Sequence, residues 1–143
     1  MMRRSIVLER AGVLLVPPIL VVAVYLLFVG HNAPGGGFVG GLTAGLAIAL
    51  ASAAEGSNGI RRTTRVAPTT LLGVGLALAG ITGGAGWILG AGFLDAGALT
   101  ADLPVLGEIK LTSALAFDVG VFCVVSGMVA MVLEALNGAE EPA

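Results

Sequence analysis

The chain has 143 residues and a formal net charge of −2 at pH 7, with 57% hydrophobic and only 11% charged residues. Soluble domains carry about 25% charged residues, so this composition and the mean hydropathy of +1.02 exclude an ordinary soluble protein. The negative net charge excludes nucleic-acid binding through a global basic field. The single cysteine, Cys123, excludes an internal disulfide and a cysteine-based metal cluster.

Four apolar stretches follow one another along the chain, at residues 12–30, 35–54, 68–94 and 111–136. Each is long enough to cross a bilayer as a helix, which takes about 20 residues. None has the alternating pattern of a membrane β-barrel strand. We therefore predict an all-α membrane protein in which residues 1–143 form a single domain, a bundle of four transmembrane helices.

Two of these stretches contain residues that disturb helices. Pro17 and Pro18 lie near the start of the first stretch, so its helix either begins at Pro17 or kinks there. The third stretch is long for one straight span. Its glycines Gly83, Gly84 and Gly86 leave two alternatives, a break at that point or a continuous helix that tilts.

The basic residues predict the orientation of the bundle. Six of the seven lie before the first stretch or between the second and third, and only Lys110 lies elsewhere. Because cytoplasmic connections are enriched in Lys and Arg, we expect both termini to be cytoplasmic and His31 to lie on the outer face. The six are Arg3, Arg4, Arg10, Arg61, Arg62 and Arg65.

The segment GHNAPGGGFVGG, residues 30–41, contains the spacing Gly35-x-Gly37-x-x-Gly40 of a dinucleotide-binding loop. The apolar run before it is far longer than a strand, and nothing supplies the soluble sheet of that fold, so we reject nucleotide binding. Instead, Gly37, Gly41 and Gly45 recur at every fourth residue, which predicts a face along which helices pack closely. The third stretch repeats this spacing in Gly80/Gly84 and Gly86/Gly90.

Pro34 and the glycines Gly35 to Gly37 predict a tight turn into the second helix. Backbone amides exposed at such a helix start favour a negative charge. His31, the only histidine, precedes the turn. Its side chain is able to take part in proton handling near neutral pH, or it serves only as a solvated or capping residue at the membrane boundary.

Asp118 lies within the fourth stretch. An ionised carboxylate there costs about 2.5–3.5 kcal/mol, so such residues are turned inward and partnered. Two interpretations stay open: a structural hydrogen bond to a neighbouring helix, or a relay that lines a proton or cation passage. Glu55 and Glu134 fall near the inner surface, where we expect both to pair with the arginines between the second and third stretches. No catalytic set is present, so we predict neither an enzyme nor a bound cofactor.

Two sequence blocks carry a family resemblance. GHNAPGGGFVGGL and FDVGVFCVVSGM resemble the signature blocks of the B-type small protein of the multisubunit Na⁺/H⁺ antiporters called Mrp or Mnh, the MrpB/MnhB family. The first has a His, a Pro-Gly-Gly-Gly-Phe run and a Gly-Leu after a first span, and the second has a Phe-Asp-x-Gly-Val start to the last helix. The resemblance covers essentially the whole chain. The matching positions are His31, Pro34, Gly35, Gly36, Gly37, Phe38 and Asp118.

The resemblance implies a small component of a prokaryotic plasma-membrane complex that exchanges cytoplasmic Na⁺ for external H⁺. The implied partners are the large A and D subunits and the small C, E, F and G subunits. The implied role is in assembly and in the cation or proton passage. The resemblance leaves open which residues touch an ion, and Asp118 and His31 are the candidates. Three alternatives stay open: a component of a related membrane-bound hydrogenase, a self-contained four-helix transporter, and a purely structural packing protein.

Overall fold

The computed structural model describes residues 6–30, 35–88, 99–103, 107–111 and 113–139. These residues form five helices and one β-hairpin. In chain order the elements are α1 (Ile6–Val29), α2 (Gly37–Glu55), α3 (Ser57–Thr64), α4 (Pro68–Ile88), β1 (Leu99–Leu103), β2 (Gly107–Leu111) and α5 (Ser113–Ala139).

The predicted helical membrane architecture is confirmed. Four helical segments are long and apolar enough to cross a membrane, and the third of them includes α3 as well as most of α4. The segments are Ile6–Val29, Gly37–Glu55, Ser57–Gly84 and Ala114–Gly138. Each contains most of one predicted stretch, because length and lack of charge are sufficient to identify a membrane helix.

The β-hairpin between α4 and α5 was not predicted. Strand β1 pairs with β2 in antiparallel register, with Thr100 opposite Lys110 and Asp102 opposite Glu108. Leu99 pairs with Leu111, so residue 111 belongs to the hairpin and helix α5 begins at Ser113. Apolar and polar residues alternate along β1, which is the period of a strand and not of a helix.

The prolines of the first stretch and the glycines of the third do not interrupt their helices. Helix α1 runs continuously through Pro17 and Pro18 and extends back to Ile6, so the interpretation that it begins at Pro17 is wrong. The two prolines lack N–H groups, which leaves the carbonyls four residues earlier, at Val13 and Leu14, without their helical donors. Helix α4 is likewise continuous through its glycines at 83, 84 and 86, so of the two alternatives the break is absent.

Small residues bring the helices together in the order α1, α2, α5, α4. The predicted glycine ridge, Gly37, Gly41 and Gly45, lies against α5, as the spacing suggested. Helices α4 and α5 meet where Gly75 faces Gly120. A side chain added at any of these glycines would collide with the neighbouring helix, so their absence of side chains allows close packing.

Of the glycine pairs predicted in the third stretch, Gly80/Gly84 has no helix of the described chain packed against it. Apart from chain neighbours and the backbone of their own helix, neither Gly80 nor Gly84 has an atom of the described residues within 4 Å of where a side chain would begin, and Gly73 is equally open. These three glycines recur at i, i+7 and i+11 and therefore share one face of α4. That face packs against no other described helix of this chain, and the surroundings of Gly86 and Gly90 lie outside the described side chains.

Two predicted ion pairs form at one end of the bundle. Arg61 Nε lies 3.6 Å from Glu134 Oε1, and Arg62 Nη1 donates to Glu55 Oε1 at 3.2 Å. The arginines lie in the short helix α3 and not in a simple loop, and their side chains are 77% and 70% exposed. Because the arginine partners are exposed, each pair contributes about 0–1 kcal/mol and adds little to the attachment of α3.

Buried apolar contacts hold α3 against the bundle. Ile60 is 0% exposed and packs with Ile48 of α2 and Ala130 of α5. Nearby, Asn137 Nδ2 donates a hydrogen bond of 2.9 Å to Ser52 Oγ, which joins α5 to α2. Because Arg10, near the start of α1, also lies here, we call this region, with α3 at its centre, the arginine end.

Candidate functional site

Asp118 lies at the opposite end of the bundle, in the second turn of α5. Its carboxylate faces the N-terminus of α2. A methyl group built on Gly36 would lie 3.5 Å from Asp118 Oδ2 and 3.7 Å from Oδ1. The structure therefore brings together the two signature blocks, which are about eighty residues apart in sequence.

Glycine is needed for the turn that precedes α2. Gly36 is the N-cap residue and has φ of +93°, a conformation that side chains disfavour. Its N–H donates a 3.0 Å hydrogen bond to the carbonyl of Leu26 in α1. A side chain on Gly35 would begin 2.7 Å from that same carbonyl. Gly35 and Gly36 lead closely into α2, whereas Pro34, the first residue of the predicted turn, lies outside the described residues. The amide of Gly36 is bonded within the chain and is not exposed as predicted.

The glycine ridge sets the distance between Asp118 and α2. A methyl group on Gly37 would overlap the backbone carbonyl oxygen of Asp118. Further along the ridge, a methyl group on Gly41 would lie 2.8 Å from Val125 Cβ, and one on Gly45 would lie 3.0 Å from Val129 Cγ2. The first turn of α2 can therefore approach Asp118 closely only because these positions lack side chains.

The start of α2 contributes to the electrostatic environment of Asp118. The N-terminus of a helix carries a partial positive charge, and the first turn of α2 contains no acidic residue of its own. Asp118 supplies a carboxylate there from another helix. No hydrogen bond or ion pair joins the Asp118 side chain to any residue within the described ranges. The described residues therefore provide no support for the interpretation of Asp118 as a structural hydrogen-bond partner.

The remaining predicted site residues are His31, Pro34 and Phe38. His31 and Pro34 lie outside the described residues. Phe38 is 59% exposed, so its ring does not fill the junction between α2 and α5. Within the described side chains, no three His, Cys, Asp or Glu residues form a group that could hold a metal ion. The sequence did not predict the role of Leu26, whose carbonyl accepts the Gly36 hydrogen bond. Any residue type can supply a backbone carbonyl, so the sequence contains no signal for this contact.

Comparison with known proteins gives consistent matches. The family model described as a domain related to the MnhB subunit of Na⁺/H⁺ antiporter matches residues 7–131. The Na⁺/H⁺ antiporter B subunit of Bacillus subtilis is 38% identical over 137 residues, which cover 96% of this chain and 95% of that protein.

Two further matches involve much longer proteins. A probable K⁺/H⁺ antiporter A/B subunit of Rhizobium meliloti is 37% identical over 114 residues, which are 80% of this chain but only 11% of that protein. The solved structure of an Mrp complex from a Dietzia species contains a chain with a TM-score of 0.75 and 33% identity. That similarity covers 96% of this chain and 14% of the longer one.

Proposed function

Because the chain belongs to the family of domains related to the MnhB subunit of Na⁺/H⁺ antiporters, we propose that Asp118 and the start of α2 line its cation or proton passage. The chain is a multi-pass membrane component of a multisubunit Na⁺/H⁺ antiporter. The observation that carries the proposal is the position of the Asp118 carboxylate against the N-terminus of α2.

A carboxylate in this position suits ion exchange. When ionised it attracts a cation, and when protonated it loses that attraction, so Na⁺ and H⁺ compete for one group. Ionisable residues at membrane depth mark ion and proton pathways in many transporters. His31 is proposed as a second group in proton handling on the same side, because its charge changes near neutral pH.

The proposed partners are the A, D, C, E, F and G subunits of the antiporter. The large A-type partner has specific support, since the Rhizobium meliloti relative is named as an A/B protein and carries the matching region within one long chain. We propose a plasma-membrane location with both termini cytoplasmic. The described arginines at 10, 61, 62 and 65 support this orientation, because they lie at one end of the bundle.

A structural packing role is the second candidate. It is favoured by the glycine ridge, which fits α2 tightly against α5. On this alternative the chain positions other subunits and contributes no group to the passage. The two candidates differ in what they require of Asp118, since packing needs its backbone and size but not its charge.

Purification of the tagged chain from native membranes tests whether it acts within a complex. We expect other antiporter subunits to be recovered with it, and vesicles containing the recovered complex to show a pH change driven by Na⁺. Parallel vesicles with K⁺ would measure cation preference. If the chain is recovered alone and is fully active, it is a self-contained transporter and the proposal fails. Co-recovery of hydrogenase subunits would favour the hydrogenase alternative.

The open glycine face of α4, Gly73, Gly80 and Gly84, provides a test of assembly. Small residues allow membrane helices to approach closely, so we expect this face to be covered by a helix of another protein of the complex. Gly80→Leu should reduce the yield of co-purified subunits while the chain itself still inserts. Val74→Leu is the control, because Val74 is 58% exposed beside this face and already bears a branched side chain. Unchanged co-purification of the Gly80 variant would show that this face meets only lipid.

A further inference from the structure

A cavity of about 390 Å³ opens at the arginine end, between α1, α2 and α3. It lies far from Asp118, so the proposed ion passage does not account for it. Apolar side chains of α1 form one wall, and polar groups of α2 and α3 form the rim. Its lining includes Val13, Val16, Leu20, Glu55, Arg62 and Arg65.

The rim has an excess of positive charge. Arg62 and Arg65 line the cavity together with a single carboxylate, that of Glu55. Glu55 accepts one hydrogen bond from Arg62 Nη1, and a guanidinium has five N–H donors, so Arg62 keeps donors for another acceptor. Arg65 forms no ion pair with any residue in the described part of the chain. Two guanidinium groups at one rim match the oxygens of a phosphate.

The backbone fixes Arg65 at this rim. Arg65 is the C-cap of α3 and has φ of +58°, in the left-handed region. Its N–H donates to the carbonyl of Arg61 at 2.9 Å, which closes the last turn of the helix. The basic group is therefore attached to an ordered helix end.

The wall of the cavity is apolar and runs along the membrane helix. Val13, Val16 and Leu20 line it, and seven residues of helix cover about 10 Å. A free phosphate ion would gain nothing from this wall, whereas an acyl chain would bury against it. The cavity thus combines a site for a phosphate with a groove for a hydrocarbon chain.

We propose that this cavity binds an anionic phospholipid, with its phosphate at Arg62 and Arg65 and an acyl chain along Val13, Val16 and Leu20. Basic pockets between membrane helices are a recurrent form of lipid headgroup site. The bound lipid fills the space between α1 and α3. The inference does not depend on which group in the complex carries the ion.

Photolabelling of the purified complex tests the proposal. The complex is placed in lipid discs that contain either phosphatidylglycerol or phosphatidylcholine bearing a photoreactive acyl chain, and labelled peptides are identified by mass spectrometry. We expect the phosphatidylglycerol probe to label peptides of α1 at residues 13–20 in preference to the phosphatidylcholine probe. Equal labelling by the two probes would overturn the proposal, and this comparison needs no variant.

Two variants test the rim and the groove of the cavity separately. Arg65→Asn removes the charge but keeps a residue that tolerates the left-handed conformation, and it should lower labelling by phosphatidylglycerol about fivefold. Val16→Trp should block the groove while it leaves both arginines in place. Arg61→Gln is the matched control, since Arg61 is a similarly exposed arginine of α3 that does not line the cavity.

The expected pattern is loss of labelling in the Arg65 and Val16 variants and retention in the Arg61 control. Labelling that is unchanged by Arg65→Asn would overturn the role of the rim. A photoreactive residue placed at position 16 distinguishes lipid from protein. If it cross-links to another protein of the complex in native membranes, a protein helix occupies the cavity and the lipid proposal is wrong.

Discussion

Replacing Gly37 by alanine should disrupt the junction between α2 and α5 and lower the thermal stability of the assembled complex. The added methyl group would overlap the backbone carbonyl oxygen of Asp118 and lie 2.9 Å from its Cα. Because the overlap is with backbone atoms, no side-chain movement can relieve it. The two helices must therefore separate. Overpacking of this kind costs about 1–3 kcal/mol or more. The change would be measured as a fall in the melting temperature of the detergent-purified complex.

Gly138→Ala is the control for this substitution, because Gly138 lies outside the open glycine face of α4. Gly138 also lies within a membrane helix, α5, but a methyl group there would have no neighbour within 4 Å in the described structure outside the backbone of its own helix. It therefore reports the effect of replacing glycine by alanine in a helix without any change in packing between α2 and α5. We expect stability to be unchanged or slightly increased, because alanine is the better helix former. Equal loss of stability in the two variants would contradict the packing argument.

The comparison of these glycines shows what spacing alone can predict. Gly37, Gly41 and Gly45 have a four-residue spacing, and so do Gly80 and Gly84. The first set lies against α5, whereas the second has no neighbour within the described chain. Spacing places residues on one face of a helix, but it does not say whether the partner belongs to the same chain. That information depends on tertiary packing.

Charge and hydropathy predicted more of the side-chain contacts at the arginine end than at the end that contains Asp118. Glu55 and Glu134 were expected to pair with arginines because both classes of residue lie at the same membrane boundary, and both pairs form. The approach of Asp118 to Gly36 joins residues far apart in sequence. It depends on the order in which the helices pack, and no local pattern specifies that order. The β-hairpin was missed because its strands are short and follow a long apolar run.

Replacing Asp118 by asparagine should greatly reduce Na⁺-driven pH change in vesicles while the complex still assembles. Asparagine has nearly the size of aspartate, so the close contact with Gly36 and Gly37 is preserved. Removal of the charge also lowers the cost of placing this helix in the membrane, which argues against a defect in insertion. An interaction with an ionised group is worth about 1.5–3 kcal/mol, so apparent Na⁺ affinity should fall roughly tenfold or more.

The pH profile separates a role in exchange from a role in packing. Asparagine cannot bind and release a proton, so any exchange that remains should depend less on pH than exchange by the parent complex. Glu134→Gln is the control, because it also removes one membrane-boundary carboxylate, but at the arginine end, where its partner Arg61 is 77% exposed. We expect its exchange and pH profile to be close to those of the parent.

His31→Ala, measured in the same vesicles, tests the second proposed group. If both Asp118→Asn and His31→Ala transport normally, the charge of Asp118 has no part in exchange, and only the packing role supported by the glycine ridge is left.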